Sequence, residues 1–285
     1  MNFTLHTPMP LDLPPLHPGW VWLAGAGPGD PSLLTLQVYG GLQQADVIVY
    51  DALVSRDILA LARPGAELRF AGKRGGKPSP KQRDISHLLI RLARAGKRVL
   101  RLKGGDPLVF GRGGEEARSL VAAGVPFRFL PGISAGVGGL AYAGIPLTDR
   151  ATNSAVTFVS AYGAGGGMPR DVDWTALARA GGAIVVFMAL SRLEEIAAAL
   201  SAGGRPAGEP VAIVSHATLD RQRVLETTLG RCAADVAAAA LEPPAMMVVG
   251  EVVRLRAALD WLGAMTAGRR LDPDPLGRQD SRRAG

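Results

Sequence analysis

Short apolar runs that stop at glycine or aspartate recur through the first half of the chain, with helical patterns between them, and this alternation restricts the fold more than any other feature. Trp20-Val21-Trp22-Leu23-Ala24 runs straight into Gly25-Ala26-Gly27-Pro28-Gly29-Asp30, and Val47-Ile48-Val49-Tyr50 ends at Asp51. Glu67 to Phe70 is a third run, Val99-Leu100-Arg101-Leu102 stops at Lys103-Gly104-Gly105-Asp106, and Phe127-Arg128-Phe129-Leu130 ends at Pro131-Gly132. Runs this short, bounded by turn residues, read as buried strands. Leu33 to Val38, Ile58 to Leu61, the amphipathic stretch Ile85 to Ala95, and Glu115 to Ala123 read as the helices between them. Such a chain builds an α/β domain with an open, mostly parallel sheet, and its ligands sit in the loops past the carboxyl ends of the strands.

The second half repeats the alternation with different spacing. Ala155–Ser160, Ala183–Met188, Val211–Val214, Arg223–Thr228 and Met246–Val249 have strand character, and Trp174–Ala180, Leu193–Ala202 and Arg231–Ala240 are helical. Pro146, in Gly144-Ile145-Pro146-Leu147-Thr148, stops any helix entering that stretch and marks a domain boundary. At 285 residues the chain exceeds the usual single core. The expected organisation is a flexible proline-rich extension over 1–18, α/β domains over 19–143 and 144–263, and a disordered tail over 264–285.

Composition removes several classes of function. One cysteine, Cys232, leaves no disulfide framework, and four scattered histidines at 6, 17, 87 and 216 show no metal-ligand spacing, so no metal is expected. No lysine or arginine precedes Arg56, which argues against a secretory or transit segment and for a cytoplasmic protein. The uncharged run from Gly132 to Thr148 is broken by glycines and Pro146, so no membrane span is expected. The net charge is +7, and between Arg69 and Lys103 twelve lysines and arginines face a single acid, Asp84. That block predicts a polyanionic partner, either nucleic acid or a small molecule with many carboxylates. Aromatic residues at 5% make single-stranded nucleic acid the poorer fit.

Two glycine loops bear on chemistry. Gly25-Ala26-Gly27-Pro28-Gly29 lacks the third glycine of a dinucleotide fingerprint, and Pro28 removes a backbone donor that a phosphate cradle would use. In Lys103-Gly104-Gly105-Asp106-Pro107 the glycines let backbone approach a ligand, and Asp106 can pair with an ammonium or accept from a ribose hydroxyl. An adenosyl amino acid suits both features, while a plain turn capped by Asp106 explains them structurally. Asp51 and Lys73 sit just past strands, where functional side chains collect, although each alone is more often a cap or a solvated charge. Cys232 reads as a packed thiol.

Taken in order, the motifs resemble the tetrapyrrole methylases: Gly-Ala-Gly-Pro-Gly-Asp-Pro at 25–31, Asp-Ala-Leu-Val at 51–54, Gly-Lys-Arg-Gly-Gly at 72–76 and Lys-Gly-Gly-Asp-Pro at 103–107. Phe-Gly-Arg-Gly-Gly-Glu-Glu at 110–116, Pro-Gly-Ile-Ser-Ala at 131–135, Ala-Tyr-Ala-Gly-Ile-Pro-Leu-Thr at 141–148 and Pro-Ala-Met-Met-Val-Val-Gly-Glu-Val-Val at 244–253 continue the match. The resemblance implies two α/β domains, the second with a mixed sheet, a cofactor cleft between them, and a homodimer. It implies methyl transfer from S-adenosylmethionine to two ring carbons of uroporphyrinogen III, giving precorrin-2 and S-adenosylhomocysteine. Relatives acting on a later corrin intermediate or on RNA, and a non-catalytic tetrapyrrole binder, are the alternatives within the fold. By motif, the cofactor contacts are Pro28, Gly104, Gly105, Asp106, Val109, Ser134, Ala135, Met188, Ala217 and Ala245, with Asp51 as proton acceptor and Lys73 as proton donor. Arg74, Lys77, Arg112 and Arg150 supply positive charge for the substrate's carboxylates. The chain departs from the family at Asp149, where histidine is usual, at Ala161-Tyr162, where a Gly-His pair is usual, and at Ala189, where many relatives have glycine.

Overall fold

The computed structural model describes residues 12–72, 82–163 and 165–277. These pack as two units: residues up to 26 together with 34–132, and residues 27–33 together with those from 133 onward.

The first unit is built on β1 (Val21–Gly25), β2 (Val47–Tyr50), β3 (Glu67–Phe70), β4 (Val99–Lys103) and β5 (Phe127–Leu130). The sheet runs β3-β2-β4-β1-β5 with every pair parallel. Helices on both faces bury β1 and β4 completely, which is why β1 reads as an unbroken apolar run and β4 as one interrupted only by Arg101 and Lys103. Trp22, Ala24, Ile48, Leu100 and Leu130 pack on one face with α1 (Leu36–Gln44) and α2 (Arg56–Ala60). Val21, Leu23, Val47, Val49 and Val99 pack on the other with α3 (Gln82–Arg94) and α4 (Gly113–Ala122). Thr35 and Ser55 cap α1 and α2, their hydroxyls accepting from the N–H groups of Val38 and Ile58. Within the proline-rich lead-in, Leu16 is buried in this core and its N–H donates to Gln44 Oε1 at 2.8 Å, so residues 12–18 are anchored rather than free.

The second unit holds the π-helical segment Ala135–Gly139, α5 (Leu140–Tyr142), β6 (Val156–Ser160), α6 (Trp174–Arg179), β7 (Ala183–Phe187), α7 (Leu193–Ala202), β8 (Pro210–Ser215), β9 (Arg223–Thr228), α8 (Cys232–Ala239) and β10 (Ala245–Val249). Its sheet is mixed, in the order β6-β7-β10-β8-β9: β6 and β7 are parallel, and β10 is antiparallel to both its neighbours. Alternate residues serve two cores. Ile184, Val186, Ile213 and Met247 pack with α7 and α8, while Val185, Ala212, Val214 and Val248 pack with Leu140, Ile145 and Val252. Two further helices, α9 (Arg256–Leu259) and α10 (Trp261–Ala267), follow. Regular structure therefore continues past 263, where the apolar pattern of the sequence ends. Arg269 beyond it pairs with the buried Asp260 at 2.9 Å. No helix among the described residues is long and apolar enough to cross a membrane.

Candidate active site

In the first unit the carboxyl ends of β2 and β4 carry a buried cluster of four charges. Arg101 and Lys103 are two apart on β4 and so share a face. Arg101 Nη2 donates to Asp51 Oδ1 at 2.5 Å, and Lys103 Nζ stands 3.5 Å from Asp51 Oδ2. Asp51 is placed by its own backbone, since its N–H donates to the Leu102 carbonyl. Behind it lies Glu116, fully buried in the first turn of α4. Glu116 Oε1 accepts from Gln82 Nε2 at 2.8 Å, Lys103 Nζ at 3.1 Å and Arg101 at 3.2 Å, while Oε2 is buried with no hydrogen-bond partner among the described residues. Two cations and two carboxylates leave the cluster formally neutral, and only Asp51 reaches the surface.

Part of the basic block is therefore engaged within the fold rather than offered to a partner. Arg101 and Lys103 are interior, Arg98 is held by Asp46, and Arg69 pairs with Glu67. The Arg98 guanidinium, with Arg63 beside it, keeps the Asp46 carboxyl well below the usual carboxylate range. Lys73, Arg74 and Lys77 lie outside the described residues. Arg112 sits in left-handed backbone, φ +59°, ahead of α4, and its guanidinium makes a two-pronged pair with Glu115 at 2.9 and 2.7 Å.

The loop after β4 lies against the ends of β1 and β5. A Cβ on Gly25 would strike the Gly105 carbonyl and the Gly132 backbone, so three chain segments cross here only because each contributes a glycine. Asp106 ties the loop down: Oδ1 accepts from Leu108 N–H at 2.8 Å and Oδ2 from Gly132 N–H at 3.0 Å. Val109 N–H donates to the Asp106 carbonyl, which completes the turn. Gly104, Gly105, Asp106 and Val109 are thus one tight loop past a strand end.

In the second unit the strand register gathers the other expected cofactor residues. Met246 pairs with Phe187 and Ala245 with Ser215, so Met188, Ala217 and Ala245 fall at one end of the sheet. Met188, His216 and Thr218 have left-handed backbone at φ +60°, +50° and +66°, a conformation that collects at functional sites. A Cβ on Gly139 would meet Ala217 Cβ at 2.7 Å and Met246 Cε at 2.8 Å, and one on Gly138 would meet Pro28 Cγ at 3.4 Å. Pro28, Ala135 and Ala217 therefore collect about the Gly138-Gly139 pair, with the buried Ser134 leading into it; its carbonyl accepts from Val137 and Gly138 N–H. His216 is buried, its Nδ1 2.9 Å from Ser215 Oγ. Burial, and then Arg221, push its pKa down, while Glu242 acts in the opposite sense.

The departures from the family acquire local explanations. Asp149 Oδ1 accepts from Ala151 N–H at 2.8 Å, and its backbone pairs with Asn153, so the aspartate shapes a turn. Arg150 beside it is exposed, and no ion pair joins the two. Tyr162 Oη lies 2.5 Å from Ser191 Oγ, and the Arg192 guanidinium stands 4.8 Å over its ring. Sequence reading passed over Arg101, Glu116 and Gln82. The available signal was two charges at i and i+2 in a strand otherwise wholly apolar.

The tetrapyrrole (corrin/porphyrin) methylases match residues 21–233, and the chain belongs to that family. The chain is 64% identical over 264 residues to a uroporphyrinogen-III C-methyltransferase from Sinorhizobium sp., covering 93% of this chain and 94% of that one. It is 48% identical to the siroheme synthase of Methylobacillus flagellatus over 86% of its own length and 52% of that protein's, so it spans about half of the longer relative. Among solved structures, the uroporphyrin-III C-methyl transferase of Thermus thermophilus complexed with S-adenyl homocysteine superposes with a TM-score of 0.71 at 43% identity, over 82% of this chain and 99% of that one. A cobalt precorrin-4 methyltransferase superposes at 0.74 with 28% identity, over 82% of this chain and 96% of that one.

Proposed function

We propose that the chain transfers methyl groups from S-adenosylmethionine to two ring carbons of uroporphyrinogen III, yielding precorrin-2 and S-adenosylhomocysteine. The likeness to the Sinorhizobium enzyme, which runs nearly end to end in both chains, carries this reading. The geometry agrees with it. Ala217 and Ala245 carry small side chains and Met188 has left-handed backbone at one end of the second sheet, which suits a flat adenosyl moiety. By motif, Pro28, Gly104, Gly105, Asp106, Val109, Ser134 and Met188 are assigned to the S-adenosyl ligand.

The bound sulfonium supplies an activated methyl group, and a pyrrole carbon is already electron-rich. The protein's task is to align carbon, methyl and sulfur and to keep water away. As the new C–C bond forms, the electron pair of the broken S–C bond stays on sulfur and the macrocycle gives up a proton. Asp51 is the assigned acceptor. Arg101 and Lys103 fix its carboxylate, and Glu116 in turn fixes them. Lys73 is the assigned donor, and Arg74, Lys77, Arg112 and Arg150 are assigned to the substrate's carboxylates, which arginine can bind bidentately. Arg112 must share its guanidinium with Glu115. We assign the working form to a cytoplasmic homodimer, to be checked by light scattering of the purified protein.

Anaerobic incubation with uroporphyrinogen III and S-adenosylmethionine, followed by mass analysis of the tetrapyrrole, tests the activity. The expected result is a gain of two methyl groups. Bound cofactor with no gain would reject this substrate.

A further inference from the structure

Four residues of the second unit close a ring of hydrogen bonds. Tyr142 Oη donates to Asp30 Oδ2 at 2.9 Å, and Asp30 N–H donates to Thr218 Oγ1 at 3.0 Å. Thr218 N–H donates to Gln222 Oε1 at 2.7 Å, and Gln222 Nε2 donates back to the Tyr142 carbonyl at 3.1 Å. The other carboxylate oxygen of Asp30, Oδ1, accepts from Ser32 N–H at 2.8 Å. The ring joins three segments far apart in sequence: the excursion of residues 27–33, the end of α5, and the turn after β8.

One of the tied segments makes an excursion and another carries backbone strain. Residues 27–33 leave the end of β1 to pack with the second unit, and Thr218 is a β-branched residue in left-handed backbone. Strain of this kind persists where its surroundings hold it for function. Both the Thr218 N–H and the Thr218 hydroxyl are engaged in the ring. Burial and the neighbouring Asp30 push the Tyr142 phenol pKa up, so it stays a donor at neutral pH. Trp261 of α10 packs edge-on against Tyr142 at 5.3 Å and donates to the Ala141 carbonyl at 3.0 Å, bracing the ring from a segment beyond the family match. Pro28 precedes Asp30 by two residues, and Ala217 immediately precedes Thr218. The ring therefore fixes the two turns that present Pro28 and Ala217 to the Gly138-Gly139 pair.

We propose that Tyr142 is a positioning residue for the S-adenosyl ligand: acting through Asp30 and Thr218, it sets the Pro28 and Ala217 turns without touching the ligand. This rests on the methyltransferase reading above. Calorimetric titration of the full chain with S-adenosylhomocysteine reads it directly. Tyr142→Phe is expected to bind about tenfold more weakly, the effect of one lost hydrogen bond to a charged group. In turnover, KM for S-adenosylmethionine rises in the same proportion, while kcat and KM for uroporphyrinogen stay within about twofold. A purely structural role would instead lower the melting midpoint and the active fraction together.

Thr218→Val provides a second break and Thr218→Ser its rescue, since serine keeps the hydroxyl. The double variant Tyr142→Phe/Thr218→Val is expected to bind no more weakly than the worse single, because both open one ring. Unchanged affinity in Tyr142→Phe and Thr218→Val, with the parent binding normally, overturns the proposal. A parent that binds no S-adenosylhomocysteine overturns the methyltransferase reading itself, and the proposal with it.

Discussion

The two sheets share an alternation of strands and helices but finish their strand ends differently. In the first unit every strand is parallel, so all carboxyl ends reach one edge, and there the chain places Asp51, Arg101 and Lys103 with Glu116 from α4. In the second, antiparallel β10 starts where β7 and β8 stop, and that edge carries Met188, His216, Ala217 and Ala245. One edge is held by paired charges with little solvent, the other by strained backbone, small side chains and uncharged donors. The contrast indicates where each unit tolerates change. A charge cluster fails when one member is removed, because the remainder is buried without a counter-charge. An edge built from backbone keeps the stability of the fold when one side-chain contact is lost, but not when a Cβ is added.

Glu116→Gln should therefore produce the largest effect. The replacement leaves Arg101 and Lys103 buried against Asp51 alone, and breaking a buried pair in this way costs about 3–5 kcal/mol. A loss of that size in the unfolding free energy, read from a denaturant titration, is the expected result. Arg101→Met/Glu116→Leu removes one charge of each sign and should recover much of the loss. If Glu116→Gln lowers stability by under about 1 kcal/mol, the cluster is better solvated than its burial indicates, and the contrast between the two edges weakens.

Gly139→Ala probes the other edge. Its Cβ would stand 2.7 Å from Ala217 and 2.8 Å from the end of Met246, and only the methionine is flexible enough to yield. Overpacking of this kind costs about 1–3 kcal/mol. The sharper expectation concerns binding: S-adenosylhomocysteine affinity should fall by more than the stability loss accounts for, because the Ala217 turn is displaced. Affinity falling only in step with the folded fraction would mean that the Gly138-Gly139 pair is simply core.

The central strands β1 and β2 were legible because burial on both faces leaves apolar runs bounded by turn residues, and the less buried β3, β5 and β9 also fall where the sequence places them. The candidate cofactor residues are assigned by motif alone, and strand register places Met188, Ala217 and Ala245 at one edge. Arg101, Lys103 and Glu116 were not legible as a cluster. Charge counting cannot distinguish a cation on a solvated face from one buried against a helix start fifteen residues away. The Tyr142 ring was hidden for a related reason: its four members come from segments that only the tertiary fold joins, and three of its four bonds use backbone groups, which leave no trace in residue type.

His216 offers the smallest effect and the finest test of how the backbone-built edge works. Burial, with Arg221 adding to it, holds its folded pKa below the ordinary histidine value, against the pull of Glu242. The unfolded chain therefore takes up a proton first as pH falls. His216 contributes stability that is fully present above the unfolded pKa, about 6.5, and that is lost as pH falls from there through the folded value. His216→Asn removes the titration while keeping a residue that accepts left-handed backbone. Its melting midpoint should drop less than the parent's between pH 7.5 and pH 5, with the two nearest in pH dependence at the alkaline end. Because Ala217 is the next residue, protonating His216 should also weaken S-adenosylhomocysteine binding over the same interval in the parent but not in the variant. Parallel profiles for the two proteins would show that the strained turn after β8 is held by its hydrogen bonds alone, with no share falling to the neutral imidazole.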